Sequence, residues 1–123
     1  MRSAEISGAN DFLADHPSGF DLQLSEAGGG LSGGQKQSIS IARGLVGNPS
    51  VLIMDEATSM MDMGSESKFV ERLGKNLTDQ TLIVITHRSA MLQLVDRVIV
   101  FDKGRIVADG PKSILNKGNK ASA

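Results

Sequence analysis

The chain has 123 residues, which is enough for one domain with a modest core and too few for a catalytic domain together with a membrane domain. Its 13 Lys and Arg against 14 Asp and Glu give a formal charge of −1, so no overall basic field points to nucleic acid or to an anionic membrane surface. The absence of cysteine excludes disulfides and thiolate zinc sites within these residues, so any metal would be held by oxygen ligands.

Apolar runs are short throughout the chain. The longest strictly aliphatic runs are Val51–Met54 and Leu82–Ile85, far below the roughly twenty apolar residues that a membrane-spanning helix needs. The first residues, Met1–Ile6, lack the apolar core of a secretory signal. We therefore expect this segment to span no bilayer and to stay in the cytoplasm.

The first predicted element is a weak helix from Arg2 to Leu13, with Ile6 and Ala9 on the same face as Leu13. A turn at His16–Gly19 ends it.

A second helix is predicted to begin sharply after three consecutive glycines. Ser32 and Gln35 have the spacing of a capping box, in which two side chains satisfy backbone N–H groups reciprocally. The sequence Gly47-Asn48-Pro49 ends this helix. Its apolar residues lie on two faces, so we expect much of it to be buried: Ile39, Ala42 and Val46 on one, Ile41 and Leu45 on the other.

Three short apolar runs rich in β-branched residues follow, at Ser50–Asp55, Thr81–Thr86 and Arg97–Phe101. Polar helical stretches near Ser65–Asn76 and Ser89–Val95 separate them. This alternation predicts an α/β fold with parallel strands joined by flanking helices.

The predicted fold closes with a hairpin. A tight turn at Asp102–Arg105 leads into an antiparallel strand, Arg105–Ala108. A short helix at Lys112–Leu115 follows, and the tail 116–123 is expected to be disordered. The fold class is therefore a mostly parallel sheet with flanking helices and a C-terminal β-hairpin.

Two glycines at a helix start form the first candidate site. At Ser32-Gly33-Gly34 a phosphate oxygen can approach the backbone closely, and the helix dipole and the hydroxyl group favour its charge. An ordinary N-cap after a flexible loop explains the same residues.

Polar side chains at strand ends form the second candidate site. Asp55 suits Mg²⁺ and Glu56 can orient or deprotonate a water, although two solvated carboxylates would give the same pattern. His87 should emerge at the same sheet edge, where it can reach a terminal phosphate or serve a structural role. Asp62 either orients a partner subunit or caps the following helix.

Three segments in order, L-S-G-G-Q at 31–35, V-L-I-M-D-E-A-T-S-M-M-D at 51–62 and V-I-T-H-R at 84–88, resemble the second half of the nucleotide-binding domain of an ABC transporter. The resemblance implies a partial P-loop NTPase fold over residues 1–115, comprising the end of the helical subdomain and the Walker B lobe. It also implies ATP and Mg²⁺ as cofactors.

The resemblance implies a role for each motif. Asp55 of the Walker B strand would bind Mg²⁺, Glu56 would be the catalytic glutamate and His87 the switch histidine. The nucleotide-contacting residues would be Leu31, Ser32, Gly33, Gly34 and Gln35 of the signature motif and Asp62 of the D-loop.

The same resemblance implies partners. Two nucleotide-binding domains would close head to tail, each signature motif binding the γ-phosphate of ATP held by the other domain. Closure would drive transmembrane permease domains, fused in the full-length chain, at the cytoplasmic face of the bacterial inner membrane. Contact with the membrane would come only through the permease, and no nucleic acid is expected.

Short local segments indicate which branch of the ABC transporter family the chain resembles. Glu56-Ala57-Thr58 and the segment 25–30 look like ABC exporters, whereas His16–Asp21 and Val107–Pro111 resemble the ATPase-permeases of bacterial type I protein secretion. Met60-Met61 departs from the usual D-loop, where smaller or leucine-like residues are common. The exported substrate is not encoded in these residues.

Residues 1–123 contain no G-x-x-x-x-G-K-[ST] loop to hold the nucleotide's phosphates and no Tyr or Trp to stack on adenine. The family's Walker A lysine and Q-loop glutamine are expected before residue 1. We therefore expect the chain alone to be inactive, neither binding ATP tightly nor hydrolysing it. A strand of the family's sheet is likewise expected before residue 1. Without it the sheet should have an unpaired edge, and the chain should be poorly soluble.

Two alternatives use the same motifs. An SMC- or repair-type DNA-associated ATPase head also has a signature motif and a Walker B strand, but the chain shows neither coiled-coil heptads nor a basic stripe. A non-catalytic split-gene product could donate its signature motif to another subunit.

Overall fold

The computed structural model of the chain describes residues 1–26 and 28–118. Two 3₁₀ turns, Gly19–Asp21 and Ser89–Leu94, lie between its regular elements. Among the residues described, no helix is long and apolar enough to cross a membrane. The elements in chain order are α1 (Arg2–Ser7), α2 (Ala9–Leu13), α3 (Gly33–Leu45), β1 (Val51–Asp55), α4 (Met63–Asn76), β2 (Thr81–Ile85), β3 (Arg97–Asp102), β4 (Arg105–Pro111) and α5 (Ile114–Gly118).

The predicted first helix is two helices, because Gly8 takes a left-handed conformation with φ of 82° between α1 and α2. The change of direction separates the residues expected on one face. Ile6 packs in the main core, whereas Ala9 and Leu13 belong to a second small cluster. The prediction of one shared face was wrong for this reason.

The capping box at the start of α3 is confirmed. Ser32 Oγ accepts a hydrogen bond from the Gln35 N–H at 3.1 Å, and Gln35 Oε1 accepts one from the Ser32 N–H at 2.8 Å. The helix is less buried than predicted, since Ile41 is its only fully buried apolar residue. Val46 is 69% exposed because the backbone turns extended there, so its side chain no longer follows the helical face.

Strands β1 and β2 pair in parallel, with Val51 opposite Thr81 and Asp55 opposite Ile85. One face of this pair carries the main core. Leu52 of β1 is buried there together with Met54. The most deeply buried residues of this core, each 1% exposed, are Phe69 and Leu73 of α4 and Met91 of the second 3₁₀ turn.

The third predicted strand does not join that pair. In the described part of the chain β3 pairs only with β4, antiparallel, so the expectation of a third parallel strand was wrong. The apolar run marked a strand but not its neighbour. Lys103 and Gly104, both with positive φ, make the tight turn that brings β4 back, which confirms the predicted hairpin.

Beyond the hairpin, α5 begins at Ile114 rather than at Lys112 and continues to Gly118. It therefore enters the segment 116–123 that the sequence predicts to be disordered. Residues 119–123 lie outside the described residues.

The second face of the β1–β2 pair is apolar, and no described element covers it. Val51, Ile53, Ile83 and Ile85 are between 45% and 63% exposed. The outer edges of both β1 and β2 also have no strand partner among residues 1–26 and 28–118. Parallel sheets normally have both faces covered, so this face and these edges are the features that should limit solubility.

Replacing Ile53 and Ile83 together by Thr should raise the soluble concentration of the chain, measured by light scattering. Threonine keeps the β propensity, and both side chains are largely exposed, so the free energy of unfolding should change by less than about 1 kcal/mol in total. Leu52→Thr, on the buried face, is the matched control and should cost about 2 kcal/mol or more in urea unfolding. Equal losses in both variants would contradict the assignment of the two faces.

Candidate functional site

Glu56 and His87 meet at the carboxyl end of the parallel pair. The Glu56 N–H donates to the Ile85 carbonyl at 2.8 Å, which extends the strand pairing by one residue. His87 follows β2 by two residues, and its Nδ1 lies 2.9 Å from Glu56 Oε1. The structure thus brings together the two side chains that the sequence places at one sheet edge.

The backbone of Glu56 is strained, with a φ of 47° that non-glycine residues rarely adopt. Its carbonyl accepts hydrogen bonds from the Ser59 N–H at 3.1 Å and from Gln37 Nε2 at 3.3 Å. These bonds and the one to Ile85 fix the direction in which the side chain leaves the strand. Glu56 is therefore held at a fixed point of the sheet edge rather than on a mobile loop.

The two carboxylate oxygens of Glu56 have different surroundings. Oε1 faces His87, whereas Oε2 is buried and has no hydrogen-bond partner within the described residues. Because Oε2 is closed to solvent in this conformation, a water would approach Glu56 through the accessible part of its side chain, which is 39% exposed. His87 has an 80% exposed side chain, so it remains accessible to a ligand.

Asp55 ends β1 on the exposed face of the sheet. Within residues 1–26 and 28–118, no three His, Asp or Glu side chains come together as a metal site. One carboxylate nevertheless fits Mg²⁺, which keeps several waters and commonly binds through one or two carboxylates plus substrate phosphates. The donor set is therefore compatible with Mg²⁺ bound together with a nucleotide.

The first turn of α3 retains its capacity to bind an anion. The N–H groups of Gly33 and Gly34 begin the helix and have no acceptor within it. Ser32 Oγ is the acceptor in its bond with the Gln35 N–H, so its own proton is free to be donated. No hydrogen bond in the described part of the chain joins residues 31–35 to Glu56 or His87.

Gly33 and Gly34 contact the segment that follows Glu56, here called the 57–61 loop. A Cβ added to Gly33 would clash with Met60 Cε, and one added to Gly34 would lie 3.2 Å from the Met60 carbonyl oxygen. The loop therefore packs directly against the first turn of α3. Sequence reasoning noted that Met60 was unusual there but gave no sign of this contact.

Asp62 caps α4. Its carboxylate accepts hydrogen bonds from the Ser65 N–H at 2.9 Å and from the Ser65 hydroxyl at 2.7 Å. These bonds, the hydroxyl first, hold the pKa of Asp62 below its ordinary value. Of the two interpretations left open by the sequence, capping is the contact that the structure contains, and a role towards a partner stays a prediction.

Sequence reasoning missed three polar residues that hold the 57–61 loop in place. Gln37 binds the loop from α3, and Arg88, directly after His87, binds it from the other side. The buried Glu66 accepts a hydrogen bond from the Thr58 hydroxyl and lies 3.3 Å from Arg88. The available signal was a glutamate on the apolar face of α4, next to Phe69 and Val70 in the helical repeat.

Comparison with known families agrees with this geometry. The family model described as ABC transporter matches residues 9–59. A solved structure of a bacterial Atm1-family ABC exporter with ATP bound superimposes with a TM-score of 0.87 at 35% identity, over 95% of this chain and 21% of that one.

Two protein relatives are more similar in sequence. The leukotoxin export ATP-binding protein of Aggregatibacter actinomycetemcomitans is 42% identical over 120 residues, which are 98% of this chain and 17% of that protein. The alpha-hemolysin translocation ATP-binding protein of Escherichia coli is 44% identical over 116 residues, or 94% of this chain and 16% of that protein. The chain thus spans about a sixth of the length of the relatives it matches.

The contacts of Met60 predict that the two glycines differ in what they tolerate. In a Met60→Ala background, Gly33→Ala should raise the free energy of unfolding by up to about 1 kcal/mol, because alanine favours a helix and its obstacle is gone. Gly34→Ala in the same background should gain less or destabilise, because its obstacle is the backbone carbonyl of residue 60. Urea unfolding measures both, and equal gains would contradict this packing.

Proposed function

This chain belongs to the ABC transporter ATP-binding domains, of which it matches the C-terminal part, and we propose that it carries half of the catalytic machinery of an ABC exporter ATPase. The observation on which the proposal depends is the Glu56–His87 pair at the end of two parallel strands, where both side chains are accessible to a ligand. ATP would be the substrate, and Mg²⁺ bound with it would neutralise the negative charge of its phosphates.

Each of the chain's own residues would then have a distinct role. Asp55 would bind Mg²⁺, and the Glu56 carboxylate would orient the attacking water and accept its proton. His87, held through Nδ1 by Glu56, would contact the γ-phosphate with its other ring nitrogen. Glu56 and His87 would thus act at the same γ-phosphate.

The signature motif would act on a different nucleotide. Ser32 can donate its hydroxyl proton, and Gly33 and Gly34 can donate backbone N–H groups, to phosphate oxygens at the start of α3. Since these groups form no hydrogen bonds to Glu56 or His87 in the described residues, a head-to-tail pair of domains would use them across the interface. Leu31 and Gln35 would support that first turn, and Asp62 would lie at the same interface.

We place the whole protein in type I protein secretion. The names of the two relatives support this assignment, since both are ATP-binding proteins of toxin export or translocation in bacteria. The complete protein would then include a permease and lie at the cytoplasmic face of the inner membrane. Residues 1–115 would be the C-terminal part of its ATPase domain. The named relatives favour export over the DNA-associated alternative.

The purified 123-residue chain should hydrolyse no ATP above background, because it contains no P-loop to hold the nucleotide's phosphates. Release of inorganic phosphate with Mg²⁺ and ATP measures this. Turnover that requires Mg²⁺ and disappears in Glu56→Gln would contradict the assignment of this chain to one half of the site.

A chimera tests whether the residues of this chain support ATP hydrolysis within a complete protein. Residues of this chain would replace the aligned 116-residue segment of the E. coli alpha-hemolysin translocation ATP-binding protein. We expect the chimera to hydrolyse ATP and Glu56→Gln to lower its kcat by about a hundredfold or more, because the water loses its base. Steady-state phosphate release gives kcat and KM.

The matched control is Glu71→Gln, which makes the same chemical change at an exposed position of α4. It should leave kcat within about twofold, since surface substitutions away from the site rarely matter. Equal kcat values for the unmodified chimera and its Glu56→Gln variant would contradict the catalytic role. So would a loss of kcat in Glu71→Gln as large as the loss in Glu56→Gln.

A further inference from the structure

Both ends of the Gln37 side-chain amide form hydrogen bonds with the 57–61 loop or with Glu56, which precedes it. Its Nε2 donates to the Glu56 carbonyl at 3.3 Å and to Ser59 Oγ at 2.9 Å, while its Oε1 accepts from the Met60 N–H at 2.8 Å. A side-chain amide offers a donor and an acceptor side by side while carrying no charge. A glutamine is therefore specifically suited to this position.

The position of Gln37 links the two parts of the site. It lies on α3, just over one helical turn beyond Ser32 and Gly33, which are proposed to bind phosphate. Its hydrogen bond to Glu56 supports the residue whose backbone is strained. A strained conformation persists only where surrounding contacts determine it, so removal of one of them should let the backbone relax.

The opposite side of the loop is held from the segment that carries His87. Arg88 donates to the carbonyls of Thr58 and Met61. Its guanidinium also lies 3.3 Å from the buried carboxylate of Glu66. The loop between Glu56 and Asp62 is thus fixed between α3 and the residue that follows His87.

We infer that Gln37 is a positioning residue that couples the phosphate-binding turn of α3 to the carboxylate of Glu56 in the same chain. The inference rests on the proposed function for its catalytic consequence. A displacement of α3 would move Gln37, and Gln37 would move the Glu56 carbonyl and the Met60 amide with it. Binding at the signature motif would in this way adjust the base of the chain's other phosphate site.

Two substitutions separate the ends of the amide. Gln37→Glu keeps an acceptor for the Met60 N–H but places an oxygen against the Glu56 carbonyl. Gln37→Met has a similar length and loses the hydrogen bonds at both ends. The control is Gln93→Met, which makes the same Gln-to-Met change at an exposed glutamine.

Amide hydrogen exchange, measured on the chain and on the chimera, is the readout that is independent of activity. Gln37→Met should raise the exchange rate of the Met60 amide about tenfold, whereas Gln37→Glu should leave it protected. Unchanged Met60 exchange in Gln37→Met overturns the inference. So does equal loss of protection in both variants, which would indicate a general structural role.

Kinetics of the chimera test the consequence. Both variants should lower kcat by about tenfold or more, because Glu56 is misplaced, with KM for ATP within about threefold. A normal kcat despite altered Met60 exchange overturns the coupling. If the unmodified chimera has no ATPase activity, the proposed function fails, and the exchange pattern decides by itself whether Gln37 braces the loop.

Discussion

The site depends on the register of one parallel strand pair. Leu52 and Met54 are buried on one face of β1, and a shift by one residue would expose them. Hydrophobic burial therefore sets Asp55 opposite Ile85, and the next hydrogen bond places Glu56 beside the segment leading to His87. The positions of Glu56 and His87 at the sheet edge therefore depend on the packing of Leu52 and Met54 in the core.

The 57–61 loop converts that register into a connected site. It begins directly after the strained Glu56, contacts Gly33 through Met60 and ends just before Asp62, which caps α4. Hydrogen bonds from Gln37 of α3 and from Arg88 hold its backbone, so the conformation of the loop is restricted. A segment that reads as a simple connection in sequence is therefore the structural link between the helix start and the sheet edge.

Local features were predictable from sequence, whereas long-range partners were not. The Ser32 capping box, the hairpin turn at Lys103-Gly104 and the meeting of Glu56 with His87 each depend on short spacing or on the common direction of parallel strands. The predicted pairing of β3 with the parallel strands was wrong, because an apolar run does not encode which strand lies beside it. Gln37 and Arg88 were missed because most of their partners are backbone groups, 19 to 30 residues away in the sequence.

A double-substitution cycle on the chimera tests most directly whether Glu56 and His87 act as one unit. The kcat of Glu56→Gln, His87→Ala and the double variant would be compared with that of the unmodified chimera. If the pair acts on one phosphate, the double variant should be no slower than the worse single variant by more than about threefold. A double variant whose loss equals the product of the two single losses would contradict the account.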